Sequence, residues 1–148
     1  MRILPHIIAK AERVLGTEAA SAHCDLPCGV YDPAQARIEA ESVSKIQEKY
    51  QDAENQKKPS ETVEEFKSRC IGIKEERANL VKEHLWVLWT DYFKPNHVEK
   101  YAQLHELFWQ ATKEAGEAKK STDPKQGQKL LDLIDEIGKI FWETKQAA

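Results

Sequence analysis

Asp123-Pro124-Lys125-Gln126-Gly127-Gln128-Lys129-Leu130-Leu131-Asp132-Leu133-Ile134-Asp135-Glu136-Ile137-Gly138-Lys139-Ile140-Phe141 is the plainest structural statement in the chain. An aspartate can cap the free amides of a helix start, and a proline at the first helical position loses no hydrogen bond and already has the right φ. Leu130, Leu131, Ile134, Ile137, Ile140 and Phe141 then recur at the spacing that puts apolar side chains on one helical stripe. The segment predicts an amphipathic helix that needs partners to bury that stripe.

Those partners lie upstream. Asp32-Pro33 repeats the cap-and-proline opening and predicts a helix from about Pro33 to near Ala53, with Ile38, Ser42, Ile46 and Tyr50 on one face and Val43 beside them. The polar stretch from Gln51 to Ser60 reads as a loop. Ser60 then caps a long helix whose apolar face is Val63, Phe66, Cys70, Ile73, Leu80, Val81, Leu85 and Leu88. It continues past Trp86 and Trp89 to about Phe93, where Lys94-Pro95 stops it. Asn96 opens a third helix carrying Val98, Tyr101, Leu104, Phe108, Ala111 and Ala115, and Lys119 and Lys120 suit its C-terminal end. Four amphipathic helices joined by short polar loops predict an all-α antiparallel four-helix bundle.

With 148 residues the chain suits one such domain, and its 41% hydrophobic and 32% charged composition is that of a helical globular protein. A net charge of −3 gives no basic footprint for nucleic acid. No apolar run approaches the ~20 residues of a membrane span. Three cysteines make no disulfide framework. Cys70 falls at helical spacing with Val63, Phe66 and Ile73 and reads as a small core residue. Trp86, Trp89, Trp109 and Trp142 read as core or subunit contact, and His84, His97 and His105 as structural.

The chemistry is concentrated in His23-Cys24-Asp25-Leu26-Pro27-Cys28-Gly29-Val30-Tyr31, a hook ahead of the first helix. If the chain began at His23, its free amine, the backbone nitrogen of Cys24 and the Cys24 thiolate would lie along a short covalent path. A metal bound by all three closes two fused chelate rings. Leu26-Pro27 can turn the chain so that Cys28 supplies a fourth ligand in the same plane, with the His23 imidazole left to reach an axial position. Such a square-planar set of two nitrogens and two sulfurs suits Ni(II) or Cu(II) rather than zinc. Thiolates and a deprotonated amide stabilise the higher oxidation state, and loading must release protons and so depend on pH. Spacing alone leaves other readings open: a zinc site completed by a distant histidine, a reversible disulfide, or two incidental thiols.

Residues 1–22 bear on that choice. Ile3, Ile7, Ile8, Ala11, Val14 and Leu15 recur at helical spacing, but Lys10, Glu12 and Arg13 interrupt any signal-peptide core. The segment ends in Ala19-Ala20-Ser21-Ala22, small residues of the kind processing enzymes accept. Cutting before His23 converts a poor amide ligand into an amine, so 1–22 reads as a leader and 23–148 as the mature domain. A chain that keeps the leader lacks a competent site. Thiolate ligands point to a reducing compartment, hence the cytoplasm.

The hook, as His23-Cys24-x-x-Pro27-Cys28-x-x-Tyr31, resembles the signature of the nickel-containing superoxide dismutases. The likeness continues through Asp32-Pro33-Ala34-Gln35-Ala36-Arg37-Ile38-Glu39, Lys74-Glu75-Glu76-Arg77-Ala78 and His84 to Pro95, and returns in Ser121-Thr122-Asp123-Pro124 and Ile140-Phe141-Trp142-Glu143-Thr144-Lys145. The resemblance implies disproportionation of superoxide by nickel cycling between the two and three plus states. It also implies a homohexamer of four-helix bundles, and a leader removed by a dedicated peptidase before His23. It implies His23, Cys24 and Cys28 as the metal ligands, Tyr31 over the open metal face, and Glu39 and Arg77 orienting the axial imidazole. Asp25 and Tyr92 match hydrogen-bonded surroundings of the site, and Lys94 can draw the anionic substrate. The stretch Gln51 to Thr62 is longer than in familiar members. The competing class is a helical zinc-binding or thiol-switch protein without dismutase turnover.

Overall fold

The computed structural model of the chain describes residues 28–146. The expected leader, residues 1–22, and the expected site residues His23, Cys24 and Asp25 therefore lie outside the described residues. Four long helices, α1 (Ala34–Gln51), α3 (Val63–Val87), α5 (Leu104–Lys120) and α6 (Pro124–Gln146), are joined by the short α2 (Ala53–Gln56) and α4 (Pro95–Lys100). Each long helix touches the next in sequence, and α6 returns against α1, so the four form a closed ring.

The core stripe of each helix follows steps of three and four residues, the seam of a bundle. It runs Ala36, Ala40, Val43, Gln47 on α1 and Cys70, Lys74, Ala78, Val81, Leu85 on α3. On α5 it includes Leu104, Phe108, Ala111, Ala115 and Ala118, and on α6 Leu130, Ile134, Ile137, Phe141 and Thr144. The expected α6 stripe is the observed one apart from Leu131, which packs half-buried at its edge. On α1 the expectation chose the wrong stripe. Ile38 is 58% exposed, and the alanines at 36 and 40 face the core instead, because small side chains let α1 approach its neighbours. On α3, Ile73 is 39% exposed and the stripe passes through Lys74 and Ala78. Cys70 is buried as expected.

Three boundaries also differ. The polar stretch after Gln51 is helical through α2 before it breaks at Lys57. The cap of α3 is Thr62, not Ser60. Its hydroxyl accepts the Glu65 amide at 3.2 Å while the Glu65 carboxylate accepts the Thr62 amide at 2.8 Å. The expected third helix is broken at Tyr101–Gln103, so α4 stands apart from α5. Asp32 and Asp123 behave as read: their carboxylates accept the amides of Ala34 at 2.8 Å and Lys125 at 3.0 Å.

The two ends of the bundle differ in chemistry. At one end the last carbonyls of α5 are gathered by side chains from other helices. Lys74 Nζ donates to the carbonyls of Ala118 (3.3 Å), Lys119 and Ser121 (2.9 Å), and Gln47 donates to those of Ala118 and Ser121. A buried ammonium is tolerable there because the helix end presents orphan carbonyls and negative dipole charge. Burial still pushes the Lys74 ammonium below its usual range. The same end fixes Gly127, where an added Cβ would lie 2.4 Å from Gln47 Oε1 and 2.6 Å from Ser44 Cα. The glutamine can swing aside at the cost of its hydrogen bonds, whereas a backbone atom cannot. Gly127→Ala is therefore expected to lose about 2 kcal/mol despite alanine's better helix propensity, lowering the thermal midpoint by roughly 6 °C. An unchanged midpoint in a calorimetric scan would contradict that close approach.

Candidate metal centre

The other end of the bundle is aromatic, and residues 28–31, the described part of the hook, lie there. Gly29 has φ +73°, a left-handed conformation that glycine adopts without penalty and that turns the chain between Cys28 and Val30. The Val30 amide points back at Cys28 Sγ, 3.4 Å away. Cys28 is exposed, and Val30 stands 78% exposed beside it. Tyr31 then packs half-buried against the core, with its ring 5.8 Å from that of Tyr92.

Tyr92 reaches this place because α3 does not end as an α-helix. Its last turn, Leu88–Tyr92, is a π-turn closed by the Phe93 amide on the Leu88 carbonyl at 3.1 Å. In a regular α-helix, residues five apart point about 140° away from each other. The wider turn brings Leu88 and Phe93 to the same interior and leaves Tyr92 between Phe93 and Phe141, with centroid distances of 5.0 and 4.3 Å. The Tyr92 hydroxyl meets Thr144 Oγ1 at 2.7 Å.

These elements enclose a cleft of ≈ 540 Å³ lined by Gly29, Tyr31, Asp91, Tyr92, Lys94, His97, Thr144 and Lys145. Lys145 Nζ lies 5.4 Å from the Tyr92 ring centre. Nδ1 of His97 accepts the Lys94 amide at 3.3 Å, so the neutral ring carries its proton on Nε2. Burial, and then the charges of Lys94 and Lys100, push the His97 imidazole below its usual range. The mouth of the cleft is thus cationic through Lys94 and Lys145, with Asp91 the opposing charge.

Of the expected site residues, the structure brings Tyr31 and Tyr92 together beside the hook and places Cys28 next to the cleft wall. Glu39 and Arg77 are joined to each other: Arg77 Nη1 donates to both Glu39 oxygens at 3.3 and 3.2 Å, bridging α1 and α3. The Glu39 side chain is only 14% exposed, so this is not the solvated charge that helix position alone implies. The pair does not line the Tyr31–Tyr92 cleft. Sequence reasoning left Thr144 and Lys145 without a role and treated His97 as structural, yet all three line that cleft. Thr144 falls three residues after Phe141 on the α6 stripe, which was the available signal.

Among the described residues no three His, Cys, Asp or Glu side chains converge as a metal site. The donor set read from the hook needs only Cys28 from this region. Cys28 fits: its sulfur is exposed, backbone-anchored and already faced by an amide donor, which suits a thiolate. Two sulfurs with an amine, an amide and an imidazole are a donor set for nickel or copper.

Comparison with known proteins agrees with this arrangement. A family model described as nickel-containing superoxide dismutase matches residues 18–145. Superoxide dismutase [Ni] of Streptomyces seoulensis is 59% identical over 127 residues, covering 86% of this chain and 91% of that protein. Its counterpart from Streptomyces coelicolor is 57% identical over the same shares. A native structure of a nickel superoxide dismutase superposes with a TM-score of 0.74 at 56% identity, covering 84% of this chain and 99% of that one. The sequence likeness and the helical bundle agree: this chain belongs to the nickel-containing superoxide dismutases.

Proposed function

We propose that the chain converts superoxide to dioxygen and hydrogen peroxide at a nickel centre in the hook, after residues 1–22 have been removed by a maturation peptidase that cuts before His23. The observation that carries this reading is Cys28 anchored beside a cationic cleft walled by Tyr31 and Tyr92. His23 would hold nickel through its amine and imidazole, Cys24 through its backbone nitrogen and thiolate, and Cys28 through its thiolate. Bound nickel supplies a one-electron couple between its two and three plus states.

The reaction balances over two substrate ions. One superoxide gives up an electron and leaves as dioxygen; a second takes up an electron and two protons and leaves as hydrogen peroxide. The chain's own residues serve the approach and selection of the anion. Lys94 and Lys145 set a positive field over the cleft that draws superoxide toward the hook. Tyr31 and Tyr92 narrow the way in, so that small diatomic ions enter and larger reductants do not. Asp25 belongs to the hydrogen-bonded surroundings of the hook. Glu39 and Arg77 would orient the His23 imidazole, a role in keeping with the ion pair that bridges α1 and α3.

Exposed Trp86, Trp109 and Trp142, at 53, 55 and 48%, support subunit contacts rather than core packing, and with them a homohexamer. No helix among the described residues is long and apolar enough to cross a membrane. The thiolate donor set supports a cytoplasmic setting.

The test is metal exchange on a chain beginning at His23. Stripping nickel is expected to remove superoxide consumption measured after pulse radiolysis, nickel to restore it, and zinc to leave the protein inactive. Turnover that survives removal of nickel, or that zinc restores, would defeat the reading and favour a zinc or thiol site.

A further inference from the structure

Thr144 is 5% exposed and its hydroxyl has two neighbours, the Phe141 carbonyl at 2.7 Å and the Tyr92 hydroxyl at 2.7 Å. A carbonyl only accepts, so the single Thr144 proton goes to Phe141. The Tyr92 phenol must then donate its own proton to Thr144. It follows that Tyr92 turns lone pairs, not a proton, toward the cleft that it walls together with Tyr31, Lys94 and Lys145.

We infer that Thr144 is a positioning residue that sets the hydrogen-bond polarity of the cleft, holding Tyr92 as an acceptor so that small anions are drawn in by the lysines but not gripped by the phenol. A protonated or water-borne donor can dock on the Tyr92 oxygen, whereas an anion must first break the Tyr92–Thr144 bond to be held there. Weak retention suits a site whose substrate is an anion and whose products must leave. The inference rests on the dismutase reading in naming superoxide as that anion, but the direction of the hydrogen bonds is a property of the π-turn and α6.

Azide, a small linear anion, is the probe. Its affinity is measured by infrared titration of the azide stretch on the nickel-loaded chain beginning at His23, and by calorimetry on the metal-free full chain. Thr144→Val removes the acceptor and frees the Tyr92 proton to face the cleft, so azide is expected to bind roughly three- to tenfold more tightly, the range of one net hydrogen bond. Thr144→Ser restores the wild-type affinity, and adding Tyr92→Phe to Thr144→Val abolishes the gain. Thr144→Ala makes the same test should the valine variant fail to fold. A merely structural threonine would weaken binding or leave it unchanged, and either outcome overturns the inference, as does a gain that persists without Tyr92. Because binding is read directly, a protein that binds azide in this order but consumes no superoxide would overturn the dismutase reading and leave the role of Thr144 standing.

Discussion

Cys28→Ser is expected to abolish both nickel retention and superoxide consumption while leaving the bundle folded. A serine hydroxyl is a harder and far less acidic donor than a thiol, so the substitution would remove a thiolate from the proposed donor set. With one sulfur left, the donor set would stabilise the higher oxidation state less, and the nickel couple would move out of reach of superoxide. The fold is indifferent. Cys28 is exposed, precedes α1, and its sulfur meets the backbone of Val30, two residues away. Such a surface change is worth about 0.5 kcal/mol or less, roughly 2 °C in the thermal midpoint. Metal analysis beside a melting curve decides the matter: one nickel per chain with activity retained would remove Cys28 from the ligand set. A melting point lowered by tens of degrees would make the loss of metal uninformative about ligation, and Cys28→Ala with added nickel would then separate folding from ligation.

The second large effect concerns the proposed leader. A chain that keeps residues 1–22 is expected to take up nickel poorly and to show no turnover, and cleavage before His23 is expected to switch both on. The reason is covalent. With Ala22 attached, the His23 nitrogen is a peptide amide, planar and stripped of its basic lone pair. After cleavage it is an amine that can close a chelate ring with the next backbone nitrogen and the Cys24 sulfur. Nickel content and turnover measured on both forms, prepared identically, test the idea. Equal activity in the uncut chain would show that the amine is not a ligand, whatever the metal proves to be.

The structure and the sequence agree most where helices start. Asp32 and Asp123 cap as their chemistry dictates, because a cap is a contact between neighbours in sequence. The stripe of α6 was legible for a related reason. Its apolar residues are large and regularly spaced, so only one face could be the buried one. On α1 the same reasoning misled, since Ile38 and Ile46 outweigh Ala36 and Ala40 on any scale of hydrophobicity. Which stripe is buried there depends on how close α3 and α6 come, and closeness rewards small side chains. The donor atoms proposed for nickel could be read from the hook because their chemistry is local: amine, amide and thiol follow one another along a few bonds.

The cleft was not legible in that way. Tyr31, Tyr92, His97 and Thr144 come from the hook, the π-turn, α4 and α6, and nothing in their spacing announces a meeting. Nothing in the spacing of Glu39 and Arg77 announces their ion pair either; they meet because α1 and α3 lie side by side. By itself the sequence determined the four long helices, the caps at Asp32 and Asp123, the order of the bundle and the donor atoms offered to a metal, all through interactions within a few residues. Only the tertiary structure decided which stripe of α1 is buried, why Gly127 and Lys74 sit where they do, and which side chains wall the way to the hook. Those outcomes depend on distances between helices, and such distances are set by the packing of all four at once.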